Sequence, residues 1–321
     1  MPDAAGYVQG DGRELLIILV CSRELKITSL YFYLLDGIME KSMSIFEIEK
    51  EIQQMAGFIL DELKRVDYYL YALFLSQAYY EPLYMQCPQH VPYGTEECYS
   101  RYVDETRLTF FCKYMNHFRT LPKWDEMDND SVIYEISSQL MLYSHIWESR
   151  SFLTCLIQIV SILSNHKYKW IINFPKAGKG NMIKQNILDL LPNVNEQIRN
   201  FITSCYDIDL RNSFAHSAFI IDTDKREIQP LEPTHCYSLP GKNISFAQWE
   251  DIFLKLAAFS YYLPVEMNER RFELITELAK SPLDYKLPLC PNNPKGGSVD
   301  LILGVDSRRG YAEFMFYKKR V

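Results

Sequence analysis

Apolar residues recur at helical spacing through much of the first 130 residues. Ser44-Ile-Phe-Glu47 reads as a capping box and precedes apolar positions three or four residues apart, which predicts one long helix running towards Tyr80. The other elements predicted here are helices over Ile27–Glu40 and Thr95–Phe118, a loop over Pro82–Gly94, and a strand or helix start over Glu14–Cys21.

The polar, acidic segment Leu121–Asp130 contains a proline and indicates a boundary. After it, the helical pattern resumes from Ser131 to about Asn165, as either one long helix or two. A loop over Lys167–Asn181 and a short helix over Met182–Leu191 are expected next. An amphipathic stretch then follows, with apolar positions Val194, Ile198, Phe201, Ile202 and Cys205.

The pattern changes after residue 206. A short polar helix over Asp207–His216 is predicted first. The elements predicted after it are a β-hairpin of Ala218–Ile221 and Glu227–Leu231, a helix from Ser245 to about Tyr262, and a C-terminal hairpin of Val299–Val305 and Tyr311–Tyr317. That last hairpin could pair with Glu14–Cys21 or serve as an interface.

Composition favours a mainly α protein. Aromatic residues make up 14% of the chain and glycine occurs 13 times in 321 residues, which suits packed helices better than a glycine-turned sheet. The expected organisation is a mostly helical region over 1–130, a helical bundle with one short hairpin over 131–280, and a small β extension over 281–321.

Charge and cysteine usage restrict the kind of protein further. The net charge of −7 argues against a surface built for broad nucleic-acid binding, although a local basic groove is compatible with it. The eight cysteines have no zinc-ligand spacing, and Cys155 and Cys205 fall on apolar helix positions, as core thiols do. Reduced thiols and the absence of a basic leader or apolar span predict a cytoplasmic protein away from membranes.

The helix Asp207–His216 carries the candidate chemistry. At about 100° per residue, Leu210 and Phe214 share an apolar side, while Arg211, Asn212 and His216 fall on the opposite side. Asp207 or Asp209 can cap the helix, and the first turn of a helix favours anions.

Arg211-Asn-Ser-Phe-Ala-His216 resembles the Arg-x(4–6)-His motif of the HEPN family, and it is the only such pair in the chain. The order of helix, motif, hairpin and helix is also similar to that of many bacterial HEPN proteins. The resemblance implies a HEPN-like bundle over 131–280. It also implies an endoribonuclease that needs no metal or cofactor, acting in toxin–antitoxin or antiphage (abortive infection) defence, with an antitoxin or other inhibitor as a possible partner.

The residue types suit RNA cleavage. An imidazole such as that of His216 can carry a proton near neutral pH, and the guanidinium of Arg211 can bind two phosphate oxygens. Asn212 lies one turn before His216 and can orient the imidazole or bond to phosphate. Family members usually place two motifs face to face, so we expect a homodimer whose motif helices meet near Ala215.

Several residues have both a supporting and an ordinary interpretation. Glu148 could be the acid that family members often carry near the arginine, or a solvated helix residue, and Asp209 is most simply a helix cap. Lysines interleaved with Tyr168 and Trp170 could hold single-stranded RNA by charge and stacking, or form a solvated loop. These lysines are Lys167, Lys169, Lys176, Lys179 and Lys184.

Other activities find less support. Pro175–Gly180 lacks the Gly-x-x-x-x-Gly-Lys-Ser/Thr pattern of an NTPase, and the remaining histidines have no metal-ligand spacing. The alternative to a nuclease is a non-catalytic HEPN-like module in which Arg211 and His216 bind a nucleotide or a partner protein. A sensor role, with residues 1–130 gating the bundle, is compatible with either.

Overall fold

The computed structural model describes residues 40–76, 110, 113–122, 124–169, 172, 174–175, 178–232, 242–288, 298–306 and 313–318. Most of these residues are helical, and two antiparallel three-stranded sheets complete the described structure, so the mainly α class is confirmed. The elements expected over Glu14–Cys21, residues 27–39 and Pro82–Gly94 lie outside the described residues.

The helices are labelled in chain order. They are α1 (Glu40–Val66), α2 (Tyr68–Ser76), α3 (Asn129–Glu148), α4 (Arg150–Leu163), α5 (Lys179–Ile183), α6 (Glu196–Ser204), α7 (Ile208–Ala215) and α8 (Phe246–Lys280). Residues 113–118 are also helical, α5 continues into a π-helical turn over Lys184–Leu188, and single 3-10 turns lie at Trp124–Glu126 and Leu191–Asn193.

The predicted first long helix differs from the structure at its start and in its continuity. Ser44 lies inside α1, which already includes Glu40, so the capping-box prediction was wrong. Asp67 then separates α1 from α2, and its carboxylate accepts a hydrogen bond of 2.8 Å from the Leu70 N–H. An aspartate that caps the next helix therefore ends the continuous helix expected to run towards Tyr80.

Ser149 divides the second helical region in two. It ends α3 and caps α4, where its hydroxyl accepts a hydrogen bond from the Phe152 N–H at 3.3 Å. The two helices are bent by 58° at this point. In the described residues no single helix is both long and apolar enough to cross a membrane, and α3 with α4 reaches that length and hydropathy only as this bent pair.

Helix α8 is the longest described element. Ser245 and Gln248 form a capping box at its start, as the prediction of a helix from Ser245 requires. It continues past Tyr262 to Lys280 because Pro264 lies on its exposed side, while the neighbouring apolar residues Leu263 and Met267 are buried.

Contacts with α1 run along much of α8. The side-chain amide of Gln53 donates a hydrogen bond of 2.9 Å to the carboxylate of Glu266. Nη2 of Arg270 lies 3.0 Å from Oδ1 of Asp61. Polar pairs therefore accompany the packing between α1 and α8.

Both predicted hairpins are present. The strands β1 (Phe219–Asp222) and β2 (Glu227–Pro230) are antiparallel, and β3 (Ile244–Ser245) pairs with β2 just before α8. In the second sheet, β5 (Ser298–Asp306) pairs with β6 (Glu313–Lys318) and, on its other edge, with β4 (Leu283–Pro288). The sequence did not predict β4. Its proline lies at the end of an outer strand, where a missing N–H breaks no ladder.

An aromatic cluster in the core holds the motif helix. Trp249 of α8 is fully buried, and its ring lies 5.4 Å from that of Tyr143 on α3 and 5.8 Å from that of Phe214 on α7. The Trp249 indole N–H donates a 2.8 Å hydrogen bond to buried Gln139. Helices α3, α7 and α8 therefore meet around one indole ring.

Replacing Pro264 by alanine is expected to raise the free energy of unfolding by about 1–3 kcal/mol, because alanine restores an N–H within a helix interior. Chemical denaturation measures the change, with Glu269→Ala, at another exposed position of α8, as the control expected to stay within about 0.5 kcal/mol. A loss of stability in Pro264→Ala would contradict this and would mean that α8 depends on the proline.

Candidate functional site

The motif helix α7 is capped by Asp207. Its carboxylate accepts a hydrogen bond of 2.9 Å from the Leu210 N–H. Asp209, expected to be a cap, instead lies within the first turn, with a carboxylate oxygen 3.1 Å from Lys242 Nζ. That hydrogen bond raises the pKa of Lys242 above its ordinary value. The capping interpretation of Asp209 was therefore wrong, because Asp207 is the N-cap of α7.

The apolar side of α7 faces the core, as predicted. Leu210 is 0% exposed and Phe214 is 9% exposed. The hydroxyl of Tyr143, on α3, accepts a hydrogen bond of 3.0 Å from the Asp207 N–H. Side chain and backbone contacts to α3 therefore fix both the rotation of α7 and its start.

The polar side of α7 is graded from half-buried to exposed. Arg211 and Asn212 are half-buried, whereas Ala215 and His216 are exposed. His216 is the C-cap, with φ −107° and ψ 5°, and Ser217 follows at φ 53°. No hydrogen bond reaches the His216 imidazole from the part of the chain that the structure describes. The ring is thus accessible to a ligand or a second chain.

Glu148 lies against Arg211 and Lys179. The guanidinium of Arg211 contacts Oε1 of this carboxylate, and the ammonium of Lys179 contacts Oε2. Glu148 is the last residue of α3, Lys179 the first of α5, and Arg211 sits in the middle of α7. Of the two interpretations open for Glu148, the structure therefore favours an acid beside the arginine over a solvated helix residue.

Asn212 contacts Arg211 rather than His216. Its side-chain oxygen accepts a hydrogen bond of 3.1 Å from Nη1 of Arg211, while Nη2 of the same guanidinium contacts Glu148. Asn212 and Glu148 therefore fix the orientation of the guanidinium through its two terminal nitrogens. In this arrangement Asn212 orients Arg211, and no hydrogen bond joins its side chain to the imidazole of His216 at the end of α7.

The predicted RNA-binding lysines are dispersed. Lys167 and Lys184 are exposed and Lys169 is half-buried, whereas Lys179 belongs to the cluster with Glu148. Lys176 and Trp170 lie outside the described residues. Tyr168 is 3% exposed, so its ring is part of the core and stacking of a base on it is contradicted.

Tyr206 is a site residue that the sequence did not single out. Its ring packs against that of Trp147 at 4.6 Å, and its side chain is 7% exposed. Its hydroxyl is buried and makes no hydrogen bond with any described residue. Burial raises the pKa of this hydroxyl to about 12, with Arg211 opposing the rise and the charges of Asp207 and Glu148 adding to it.

The described residues also include side chains that could bind a metal ion or react as a thiol. Among them, no group of three or more His, Cys, Asp or Glu side chains is placed to hold a metal ion. Cys155 is half-buried and Cys205 is buried, neither forms a disulfide with another described residue, and burial raises the pKa of Cys205 to about 12. A cysteine with so high a pKa is a poor nucleophile.

Comparisons with known proteins assign no family. No family model matches the chain, and no curated protein or solved structure matches it. The HEPN resemblance therefore rests on Arg211, Asn212 and His216 and on the order of elements around them.

Asp207→Ala is expected to lower the free energy of unfolding by about 1 kcal/mol, because the N–H of Leu210 loses its acceptor. Asp209→Ala is the matched control and should cost less than the cap variant, since it loses a partly exposed ion pair with Lys242 and a favourable charge in the first turn but no cap hydrogen bond. Denaturant titration of both variants measures the difference. Equal losses would show that capping does not distinguish the two positions.

Proposed function

We propose that this protein is a metal-independent endoribonuclease of the HEPN type. The observation that carries the proposal is the placement of Arg211 and His216 on one short helix, with the imidazole exposed and the guanidinium held by Glu148 and Asn212. The hairpin β1–β2 and the helix α8 follow this helix in the order that the resemblance implies.

The proposed reaction is attack of a ribose 2′-hydroxyl on the adjacent phosphate. The 2′-oxygen forms a bond to phosphorus, and the bond to the leaving 5′-oxygen breaks, which yields a cyclic phosphate and a free 5′-hydroxyl. His216 transfers a proton to or from one of these oxygens, and the charge of Arg211 stabilises the phosphorane. Deoxyribose has no 2′-hydroxyl, so RNA is the substrate class.

A homodimer would supply a second set of groups. The two proton transfers need an acid and a base, while one motif contains a single histidine. Ala215 is exposed beside His216, and a small side chain there allows another helix to approach closely. We therefore propose that two motif helices meet at Ala215. The cytoplasmic defence setting and an inhibitor or antitoxin partner belong to the same proposal through the resemblance.

The contacts of Arg211 also favour a second candidate function. Both ends of its guanidinium are engaged, by Asn212 and by Glu148, and the chain carries a net charge of −7. A non-catalytic module that binds a nucleotide or a partner protein through His216 and its surroundings would have these properties too. Chelator-resistant RNA cleavage separates the two candidates.

His216→Ala is expected to lower RNA cleavage in EDTA by about 10²–10⁴-fold while the fold persists, because a positioned acid–base group contributes that much. Cleavage of a labelled single-stranded RNA measures the rate, and circular dichroism checks the fold. His166→Ala, at another exposed histidine, is the control and should retain the wild-type rate. Equal cleavage by the wild type and His216→Ala would rule out the nuclease.

Ala215→Arg is expected to dissociate the proposed dimer and to lower cleavage together with it, because a long charged side chain would separate the two helices. Sedimentation velocity measures the association state. Thr203→Arg places the same side chain at an exposed position in the last turn of α6 and should leave the dimer intact. A wild-type protein that cleaves RNA as a monomer at every concentration would overturn the dimer proposal.

A further inference from the structure

Three charged side chains from three separate helices converge beside the motif. Glu148 is 34% exposed, Lys179 is 20% exposed and Arg211 is 12% exposed. Each carboxylate oxygen of Glu148 contacts one cation, Lys179 or Arg211, and these two cations come from different helices. The charges of these three groups sum to plus one, since two cations share one carboxylate.

The cations are more buried than the carboxylate between them. Two half-buried positive charges held this close repel each other unless an anion lies between them, because removal from water raises the cost of like charges. Glu148 supplies that anion in the observed structure. As the most exposed member, it can turn into solvent about its own side-chain torsions while Lys179 and Arg211 keep their backbone positions.

Tyr206 provides a second observation at the same place. Its buried hydroxyl has no hydrogen-bond partner among the described residues, and the charges of Arg211 and Glu148 both act on it. A buried hydroxyl without a partner is costly, and such groups often mark a position where a ligand completes the hydrogen bonding.

We propose that Lys179 and Arg211 form a two-cation clamp for a phosphodiester of RNA, and that Glu148 occupies this clamp as an internal competitor until the phosphate displaces it. The inference rests on the proposed function for the identity of the ligand. Two non-bridging oxygens of a phosphate can replace the two carboxylate oxygens, one at each cation, and charge-assisted hydrogen bonds favour this exchange.

The clamp assigns different tasks to residues that are adjacent in space. Lys179 binds the phosphate, Arg211 binds it and also stabilises charge during cleavage, and Glu148 lowers the affinity of the resting site for anions. Asn212 keeps the guanidinium oriented when the carboxylate has left, since its hydrogen bond uses the other end of that group. RNA binding then requires displacement of an ion pair, which limits binding to strands that fill the clamp.

The test measures binding without cleavage. Fluorescence anisotropy is recorded with a labelled single-stranded 2′-O-methyl oligouridine, which keeps the phosphodiesters and lacks the nucleophilic hydroxyl, and inorganic phosphate is titrated in a separate arm. Glu148→Gln is expected to tighten oligonucleotide binding about tenfold, because a neutral amide competes poorly with phosphate for the two cations. Glu148→Asp, with a shorter reach, should give a smaller gain.

Lysine variants in the Glu148→Gln background identify the clamp. Lys179→Met removes the charge and keeps the aliphatic stem, and it should weaken binding about tenfold relative to Glu148→Gln alone. Lys50→Met, at an exposed lysine of α1 outside the predicted RNA-binding set, is the matched control and should leave the affinity unchanged. Thermal unfolding verifies that each variant is folded, and Glu148→Asp replaces Glu148→Gln in the comparison if the latter does not fold.

The outcomes separate the clamp from the nuclease. Unchanged or weaker binding in the Glu148 variants, or equal losses in the two lysine variants, would overturn the clamp even if the wild type cleaves RNA. Tighter binding in Glu148→Gln with loss in Lys179→Met would support the clamp even if native RNA stays intact. Phosphate binding that follows the same pattern while the oligonucleotide does not bind would overturn RNA as the ligand.

Discussion

The hydroxyl of Tyr143 connects the helix that carries Glu148 to the helix that carries Arg211. It accepts the backbone N–H of Asp207, and its ring packs against Phe214 and Trp249. The polar bond fixes where α7 begins and the aromatic packing fixes its rotation. Since Glu148 lies little more than one turn after Tyr143 on α3, these two constraints bring its carboxylate to the guanidinium. The position of this ion pair is thus determined by core packing rather than by electrostatic attraction between surface side chains.

Local sequence patterns were sufficient to predict elements whose apolar positions and turn or cap residues lie close together in sequence. The motif helix, the hairpin after it and the amphipathic α6 fall in this group, and the buried positions of α6 are the ones that its spacing predicts. Patterns failed where tertiary packing overrides a local preference. Pro264 stays inside α8 because burial on either side outweighs its missing hydrogen bond, and Asp67 ends α1 although the apolar repeat continues.

The site was predictable only in part for a similar reason. Arg211, Asn212 and His216 come from one helix, so spacing alone places them on one side. Lys179 reaches Glu148 across a separation of 31 residues, and nothing in its sequence context distinguishes it from the exposed Lys184. Tyr168 shows the opposite case, since an aromatic residue between lysines suggests a stacking surface, whereas burial in the core removes it from solvent. Long-range contacts decide between such alternatives.

The double role of Ser149 has a consequence for how the length of this chain can vary. One residue ends α3 and begins α4, so an inserted or deleted residue between Tyr143 and Ser149 would rotate Glu148 by about 100° about the helix axis. Such a change would also turn the buried Ile146 and Trp147 away from the core, and it would move the carboxylate away from both cations. An insertion beside the exposed turn residues Asp224 and Lys225 would rotate no helix, so variation in chain length should accumulate there while the spacing before Ser149 stays constant.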